Sequence, residues 1–323
     1  MKKRTWFYVV LAELIIIIIL GINIYKENMD ILKFTSSSPI NKSEMSVSHP
    51  SGLKYYYEPR ANSSDDVAII SALKEAEYSI NNDTLNERFN YSSKKDEDVF
   101  RIITLGDSFT YGLYVDTKDN WTELLEDKLN TVICGGINKF EVINLGVRGY
   151  DNEYSVERYK SRGIKYHPDI ILWLEVDMLR INELLKSRLE KLNDEASKSG
   201  LLKNDKEGGS YYEDYYKARK DVVDSLGEAV ILEHQADYIL RINKYFRGPV
   251  VLIPNPVMYK KHKTMLYNVA QKLNKGLYFD DLRNYYTVGA VFENDGHPNR
   301  KGHKMIAEDI FNYLNDAKLI PCN

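Results

Sequence analysis

The sequence predicts an α/β protein built as a three-layer α/β/α sandwich, preceded by one N-terminal transmembrane helix. Three observations carry this. From Asp98 onward, short apolar runs rich in β-branched residues alternate with segments of helical periodicity. That alternation implies strands paired in parallel through right-handed helical crossovers. Glycines end the first two runs, at Gly106 and Gly146, and a separate apolar stretch of membrane-spanning length opens the chain.

The opening stretch runs from Trp6 to Tyr25 and carries a single charge, Glu13. Twenty helical residues span about 30 Å, the thickness of the hydrocarbon core. Trp6, Phe7, Tyr8 and Tyr25 stand at its ends, where aromatic rings favour the interface. Lys2, Lys3 and Arg4 precede it and keep the N-terminus cytoplasmic, which sends the rest of the chain across. No small-residue cleavage site follows Gly21, so residues 1–25 read as an uncleaved signal-anchor rather than a signal peptide. Glu13 costs roughly 2 to 3 kcal/mol at that depth. Protonation, or pairing with another membrane protein, would offset it.

Residues 26–50 are polar and rich in Ser and Asn, the composition of a stalk. Residues 51–97 read as a lead-in packed on the main domain, with a helix expected over Asp66–Tyr78. The domain proper takes 98–323. Its strands are expected at Val99–Leu105, Phe140–Leu145, Asp169–Leu174, Pro249–Ile253 and Leu277–Asp280. Helices are expected at Thr117–Leu129, Glu153–Gly163 and Arg300–Leu314, the last with Ile306, Ala307, Ile310, Phe311 and Leu314 on one face. A charged insertion at about 179–226 follows the third strand and ends in a tyrosine-rich stretch. Tyr211 and Tyr215 there are four apart and share a helical face. They read either as a platform for sugar rings or as a face packed on the domain.

Composition narrows the function. With 44 basic against 47 acidic side chains and a net charge of -3, there is no basic footprint for nucleic acid. Two cysteines exclude a disulfide-dense scaffold and a Cys-rich zinc module. No histidine has metal-ligand spacing, and no phosphate-cradling or dinucleotide motif is present, so no metal or cofactor is expected.

In a parallel sheet, ligands bind outside the carboxyl ends of the strands, and the chemistry-bearing residues fall there. The first strand runs into Gly106-Asp107-Ser108-Phe109-Thr110-Tyr111-Gly112. Ser108 thus stands at the top of the sheet, just before a helix, with its own N–H available to an oxyanion. The second ends in Asn144-Leu145-Gly146-Val147-Arg148-Gly149-Tyr150, another glycine turn with N–H groups to spare. Before the last helix stands Asp295-Gly296-His297-Pro298-Asn299, a histidine two residues from a carboxylate. That is what a general base and its orienting partner need.

Residues 99–316 resemble the SGNH (GDSL-type) hydrolase family in RIITLGDSFTYG, VINLGVRGY and DGHPNRKGH, in that order. The anchor and the SGLKYYYEPR stretch are similar to envelope members of that family. The resemblance implies a flavodoxin-like sheet, with Ser108 as nucleophile, His297 as general base and Asp295 orienting the imidazole. It implies an oxyanion hole from the N–H groups of Ser108 and Gly146. The family's third block supplies an Asn donor, whereas here the third strand runs into Leu174-Glu175-Val176-Asp177-Met178. Asp177 falls nearest that position, and a shift of one residue puts Val176 there. An ionised Asp177 accepts and cannot donate.

By the same resemblance the chain is expected to be an extracytoplasmic serine esterase acting on O-acyl, including O-acetyl, esters of a cell-envelope glycan. The alternatives are a degenerate domain that binds a glycan or partner protein, and an O-acyltransferase working with a membrane partner. In a flavodoxin-like order the first and last helices of the sandwich are neighbours. Cys134 and Cys322, just beyond their ends, are therefore expected to form a disulfide worth roughly 4 to 5 kcal/mol in the chain-entropy model.

Overall fold

A computed structural model describes residues 52–63, 76–198, 209–293 and 295–322. The apolar run Trp6–Tyr25, the 26–50 segment and most of the helix expected over Asp66–Tyr78 lie outside them. The last residues of that expected helix, Ala76 to Tyr78, have no regular structure. Among the described residues no helix is long and apolar enough to cross a membrane.

Five parallel strands form one sheet in the order β2-β1-β3-β4-β5. They are β1 Val99–Gly106, β2 Lys139–Asn144, β3 Ile170–Glu175, β4 Val250–Pro254 and β5 Gly276–Tyr278. Register pairs Ile102 with Val142 on one side and with Ile170 on the other. This is the flavodoxin-like order, in which the connections leaving β1 and β3 run in opposite directions and open a crevice at the carboxyl ends of those two strands. The helices are α1 Ser108–Tyr111, α2 Trp121–Leu129, α3 Asn152–Arg158, α4 Asn182–Lys198, α5 Gly209–Leu226, α6 Glu228–Leu240, α7 Lys260–Ala270 and α8 Arg300–Asp316.

Side chains alternate across the sheet with period two. Ile102, Val142, Leu172 and Val251 face α2 and α8, where Trp121, Leu125, Ile306 and Ile310 pack on them. Ile103, Ile143, Ile171, Trp173 and Leu252 face the other way, against Val156 of α3, Ile239 of α6 and Leu266 of α7. Three layers result.

Two helices differ from the periodicity. The segment Thr117–Leu129 breaks at Asn120, whose backbone is extended. Its Nδ2 donates instead to the carbonyls of Thr110 and Tyr111, both at 3.0 Å. In the second case the regular helix stops at Arg158 and a wider turn continues over Tyr159–Gly163. Helix α7 was not anticipated, because KKHKTMLYNVA has a polar start and only a narrow apolar stripe.

The outer strand β2 would leave a row of unpaired N–H groups, a liability in any sheet. Side chains occupy them. Phe140 N donates to Asn130 Oδ1 at 2.9 Å, Val142 N to Glu126 Oε2 at 2.7 Å, and Asn144 N to Glu87 Oε1. Glu87 comes from the lead-in. Burial, together with the neighbouring Glu123, raises its carboxyl well above the ordinary range.

The lead-in is also tied down by Arg158, whose side chain is fully buried. Arg158 Nη1 donates to Thr84 Oγ1 at 2.6 Å and pairs with Glu58 at 2.7 Å, while Nη2 reaches the Thr84 carbonyl at 2.7 Å. Arg162 pairs with the same carboxylate. Across the molecule, Cys134 and Cys322 are bridged, 188 residues apart, just beyond α2 and α8.

Removing one member of a buried pair strands the other charge, at roughly 3 to 5 kcal/mol. Glu58→Ala is therefore expected to lower the unfolding free energy by about that amount in urea titrations at pH 7. Burial alone would raise the Glu58 pKa, but Arg158 and Arg162 outweigh it and hold the carboxyl down to about 2. A depressed carboxyl stabilises above its ordinary pKa, and that contribution is lost as pH falls through the folded value. The difference between wild type and variant should therefore shrink as pH drops from about 4.5 towards 2. Separately, alkylation of native protein followed by mass analysis should find no free thiol without reductant and two with it.

Candidate active site

Gly106 closes β1 with φ +149°, and a Cβ there would lie 2.7 Å from the Leu174 carbonyl of β3. Only glycine fits this approach. The chain then turns at Asp107, whose carboxylate accepts from Phe109 N at 3.0 Å and caps the short helix α1. Ser108, first residue of α1, is delivered to the crevice. Its Oγ lies 2.7 Å from His297 Nε2.

His297 arrives from the turn before α8. Phe292 N donates to the His297 carbonyl at 2.9 Å, Gly296 takes φ +85°, and Asn299 caps α8 through Lys301 N and Gly302 N. Asp295 Oδ1 accepts from the His297 backbone N at 3.1 Å and meets its ring Nδ1. A carboxylate on Nδ1 keeps the proton there and leaves the Nε2 lone pair facing Ser108. The ring is held between Phe109, with centroids 4.8 Å apart, and the edge of Tyr114 at 5.4 Å. Tyr114 itself has φ +70° and is fixed by Tyr78, whose hydroxyl accepts from its N at 2.7 Å. Ser108 is 3% exposed and His297 1%. The three residues named from the sequence as nucleophile, base and orienting acid thus meet in one hydrogen-bonded relay.

The second glycine turn requires a correction. Gly146 N donates to Asn144 Oδ1 at 2.9 Å, so it is already engaged and does not serve as an oxyanion donor. Gly146 is a glycine for another reason, since a Cβ there would sit 2.6 Å from Tyr111 N. Three residues on, Tyr150 N donates to the Val147 carbonyl at 3.2 Å and Gly149 has φ +71°. A positive φ at the third position alone marks a type II turn. Among the described residues no acceptor lies against the N–H of Ser108 or of Gly149. Sequence reasoning passed over Gly149; its signal was the second glycine of GVRGY, which a type II turn demands.

The third strand end also requires one. Asp177 is buried and pairs with Arg219 Nη2 at 2.7 Å and Arg180 Nη2 at 3.6 Å. Burial alone would raise its pKa, but Arg219, Arg180 and the Leu179 N–H outweigh it and hold the carboxyl below the ordinary range. Asp177 is therefore an anion that accepts, and the oxyanion-donor role expected for it fails. Arg219 comes from α5, inside the insertion, and nothing local in the sequence linked it to Asp177. Val176 offers no side-chain donor.

Tyr215 is 3% exposed and packs with Leu185 and Ala218 between α4 and α5. The substrate-binding reading of Tyr215 is thereby corrected: the ring is core. The side chain of Tyr211 lies outside the described residues. Among those residues no cluster suited to a metal ion occurs.

Beside Gly106 and Asp107 lies a small pocket of about 10 Å³, lined also by Asp151, Asn152, Glu175 and Asp177. Arg180, itself buried, approaches Asp107 at 3.6 Å and supplies positive charge to this acidic group. Burial raises the Asp151 carboxyl to about 6. Burial, reinforced by Asp107 and Asp177, raises Glu175 to about 8.

No family model matches the sequence, and no curated protein matches it. Solved structures give distant similarities. One is the psychrotrophic esterase EstA from Pseudoalteromonas sp., 14% identical with TM-score 0.40, covering 70% of this chain and 100% of that one. Another is a two-domain esterase active on acetylated mannans, 14% identical with TM-score 0.42, covering 70% of this chain and 52% of the other. A third is a catalytic mutant of Axe2, an acetylxylan esterase from Geobacillus stearothermophilus, 12% identical with TM-score 0.39, covering 72% and 99%. What the site can do rests on its own geometry.

A carboxyl whose folded pKa lies above its ordinary value stabilises fully below that ordinary value, and the contribution is lost as pH rises through the folded one. Between pH 6 and 9 the melting temperature should therefore fall as Glu175 ionises near 8. In Glu175→Gln, whose Oε1 still accepts from Asp177 N, the fall should be smaller. Parallel melting curves across that range check it.

Proposed function

We propose that this chain is a serine esterase of the SGNH type, held in a membrane by residues 6–25, that hydrolyses O-acyl and in particular O-acetyl esters on a cell-envelope glycan. The observation that carries the chemistry is the relay in which Ser108 Oγ stands 2.7 Å from His297 Nε2 while Asp295 holds Nδ1. A serine hydroxyl is a poor nucleophile until a base within hydrogen-bond reach takes its proton.

In this reading Ser108 Oγ bonds to the acyl carbon as its proton moves to His297 Nε2. Asp295 stabilises the imidazolium. The carbonyl electron pair collects on oxygen, against the N–H groups of Ser108 and Gly149, each such donor being worth roughly 2.7 to 4 kcal/mol. The carbon–oxygen bond to the alcohol then breaks, and the alcohol leaves with the proton from Nε2. Water adds to the acyl-serine, His297 takes its proton and returns it to Ser108 Oγ, and the carboxylic acid departs. With an anion at Asp177, the hole has two donors. A missing third donor costs roughly 100- to 1000-fold in rate.

The bridge between Cys134 and Cys322 agrees with an oxidising compartment outside the cytoplasm. The buried Asp177 anion favours a second reading, a domain that binds an acylated glycan or partner protein without turning it over. An acyltransferase would use the same acyl-serine with a sugar hydroxyl in place of water.

Full-length protein in detergent should be labelled by a fluorophosphonate probe on Ser108. Ser108→Ala should abolish labelling, and His297→Ala should slow it by roughly 100- to 10,000-fold. A wild type that is not labelled rejects the esterase and leaves the binding domain. Acetate released into water from an acetylated polysaccharide, against transfer to an added glycan, separates hydrolase from transferase.

A further inference from the structure

The turn that carries Gly149 is held from outside the motif blocks. Arg148 C=O and Gly149 N–H belong to one planar peptide and point in opposite directions. Whatever holds that carbonyl therefore aims that N–H. The hydroxyl of Tyr57, from the lead-in, donates to the Arg148 carbonyl. The next carbonyl, Gly149, accepts from Asn182 Nδ2 at 2.8 Å, and the next, Tyr150, accepts from Arg180 Nη1 at 3.3 Å. Three successive carbonyls of one loop are each gripped by a different side chain.

The grip matters because the turn is ambivalent by itself. Type I and type II turns differ mainly by a flip of the central peptide, here Arg148–Gly149. Glycine at the third position accepts the negative φ of one and the positive φ of the other at little cost. The flipped form would turn the Gly149 N–H away and present the Arg148 carbonyl in its place. Tyr57 is well placed to decide between them. It is 4% exposed, its ring meets Tyr150 edge-on at 5.3 Å, and its own carbonyl accepts from the Tyr150 hydroxyl. Lys186 Nζ lies 3.8 Å from the ring centroid on a helix of the insertion.

We propose that Tyr57 is a positioning residue whose hydroxyl holds the Arg148 carbonyl and so aims the Gly149 N–H at the oxyanion, with Asn182 and Arg180 fixing the two peptides that follow. The proposal rests on the esterase reading above. It makes the lead-in, and the segment that opens the insertion, working parts of the catalytic apparatus.

The test uses full-length protein in detergent, p-nitrophenyl acetate as substrate and thermal melts of every variant. Tyr57→Phe, which removes one oxygen, should lower kcat by roughly 10- to 100-fold, with KM within about twofold. Asn182→Ala should act in the same direction. Tyr55→Phe, a near neighbour whose hydroxyl meets Glu190 of α4, should keep the wild-type kcat. Wild-type kcat in a folded Tyr57→Phe overturns the proposal, as does an equal loss in Tyr55→Phe, which would mean general loosening. If Tyr57→Phe does not fold, Asn182→Ala decides, and an unchanged kcat there overturns the proposal. Failure of the esterase reading is visible separately, as a wild type with neither turnover nor fluorophosphonate labelling.

Discussion

The close approach of β1 to β3 at Gly106 is the constraint on which the site depends. Because the chain leaves β1 and β3 towards opposite neighbours, a crevice opens at their carboxyl ends. Because no side chain fits between Gly106 and the Leu174 carbonyl, the backbone passes close to β3 and turns at once into α1. Ser108 therefore sits on a short, capped element packed from both sides, not on a free loop. The same economy of space operates at Gly146, which lies against Tyr111 N. Two glycines chosen for contact distance bring the first and second strand ends together, and a third, Gly149, is needed for its φ.

Around that junction, buried arginines organise what hydrophobic packing cannot. Arg158 joins Glu58 and Thr84 of the lead-in to the end of α3. Arg180 lies among Asp107, Asp177 and the Tyr150 carbonyl, linking nucleophile turn, third strand end and second loop. Charges so deep are tolerated because each guanidinium meets carboxylates or carbonyls; stripped of partners, each would be strongly destabilising. The lead-in also shields the sheet edge through Glu87 and buttresses Tyr114 through Tyr78. It is thus built into the domain rather than laid on it.

The insertion has a comparable role. Helix α5 delivers Arg219 to Asp177, and Tyr215 fills the seam between α4 and α5. The third strand end carries a salt-bridged anion in place of a neutral donor. In the proposed mechanism the oxyanion then depends on backbone N–H groups, whose direction is set by peptide orientation. That is why the hydrogen bonds to the carbonyls of residues 148–150 acquire weight.

The strands were legible in the sequence to within one residue at most ends, since the four largely buried strands β1 to β4 require β-branched apolar runs and only the short edge strand β5 lacks one. The relay was legible too: serine after a glycine turn and histidine two residues past an aspartate are local patterns, and the order of elements brings them together. The bridge between Cys134 and Cys322 followed from the same order. What the sequence left undetermined were pairings between segments far apart in the chain. Which glycine N–H remains open depends on whether a side chain such as Asn144 has already taken it. The state of Asp177 depends on Arg219, 42 residues away, and the facing of Tyr215 on α4. Helix α7 is hard to read locally because its buried apolar stripe is confined to Leu266, Val269 and Ala270 near its end. Periodicity and turn chemistry act over a few residues and are written in sequence; donor direction, burial and ion pairing are settled only when distant segments share one low-dielectric space.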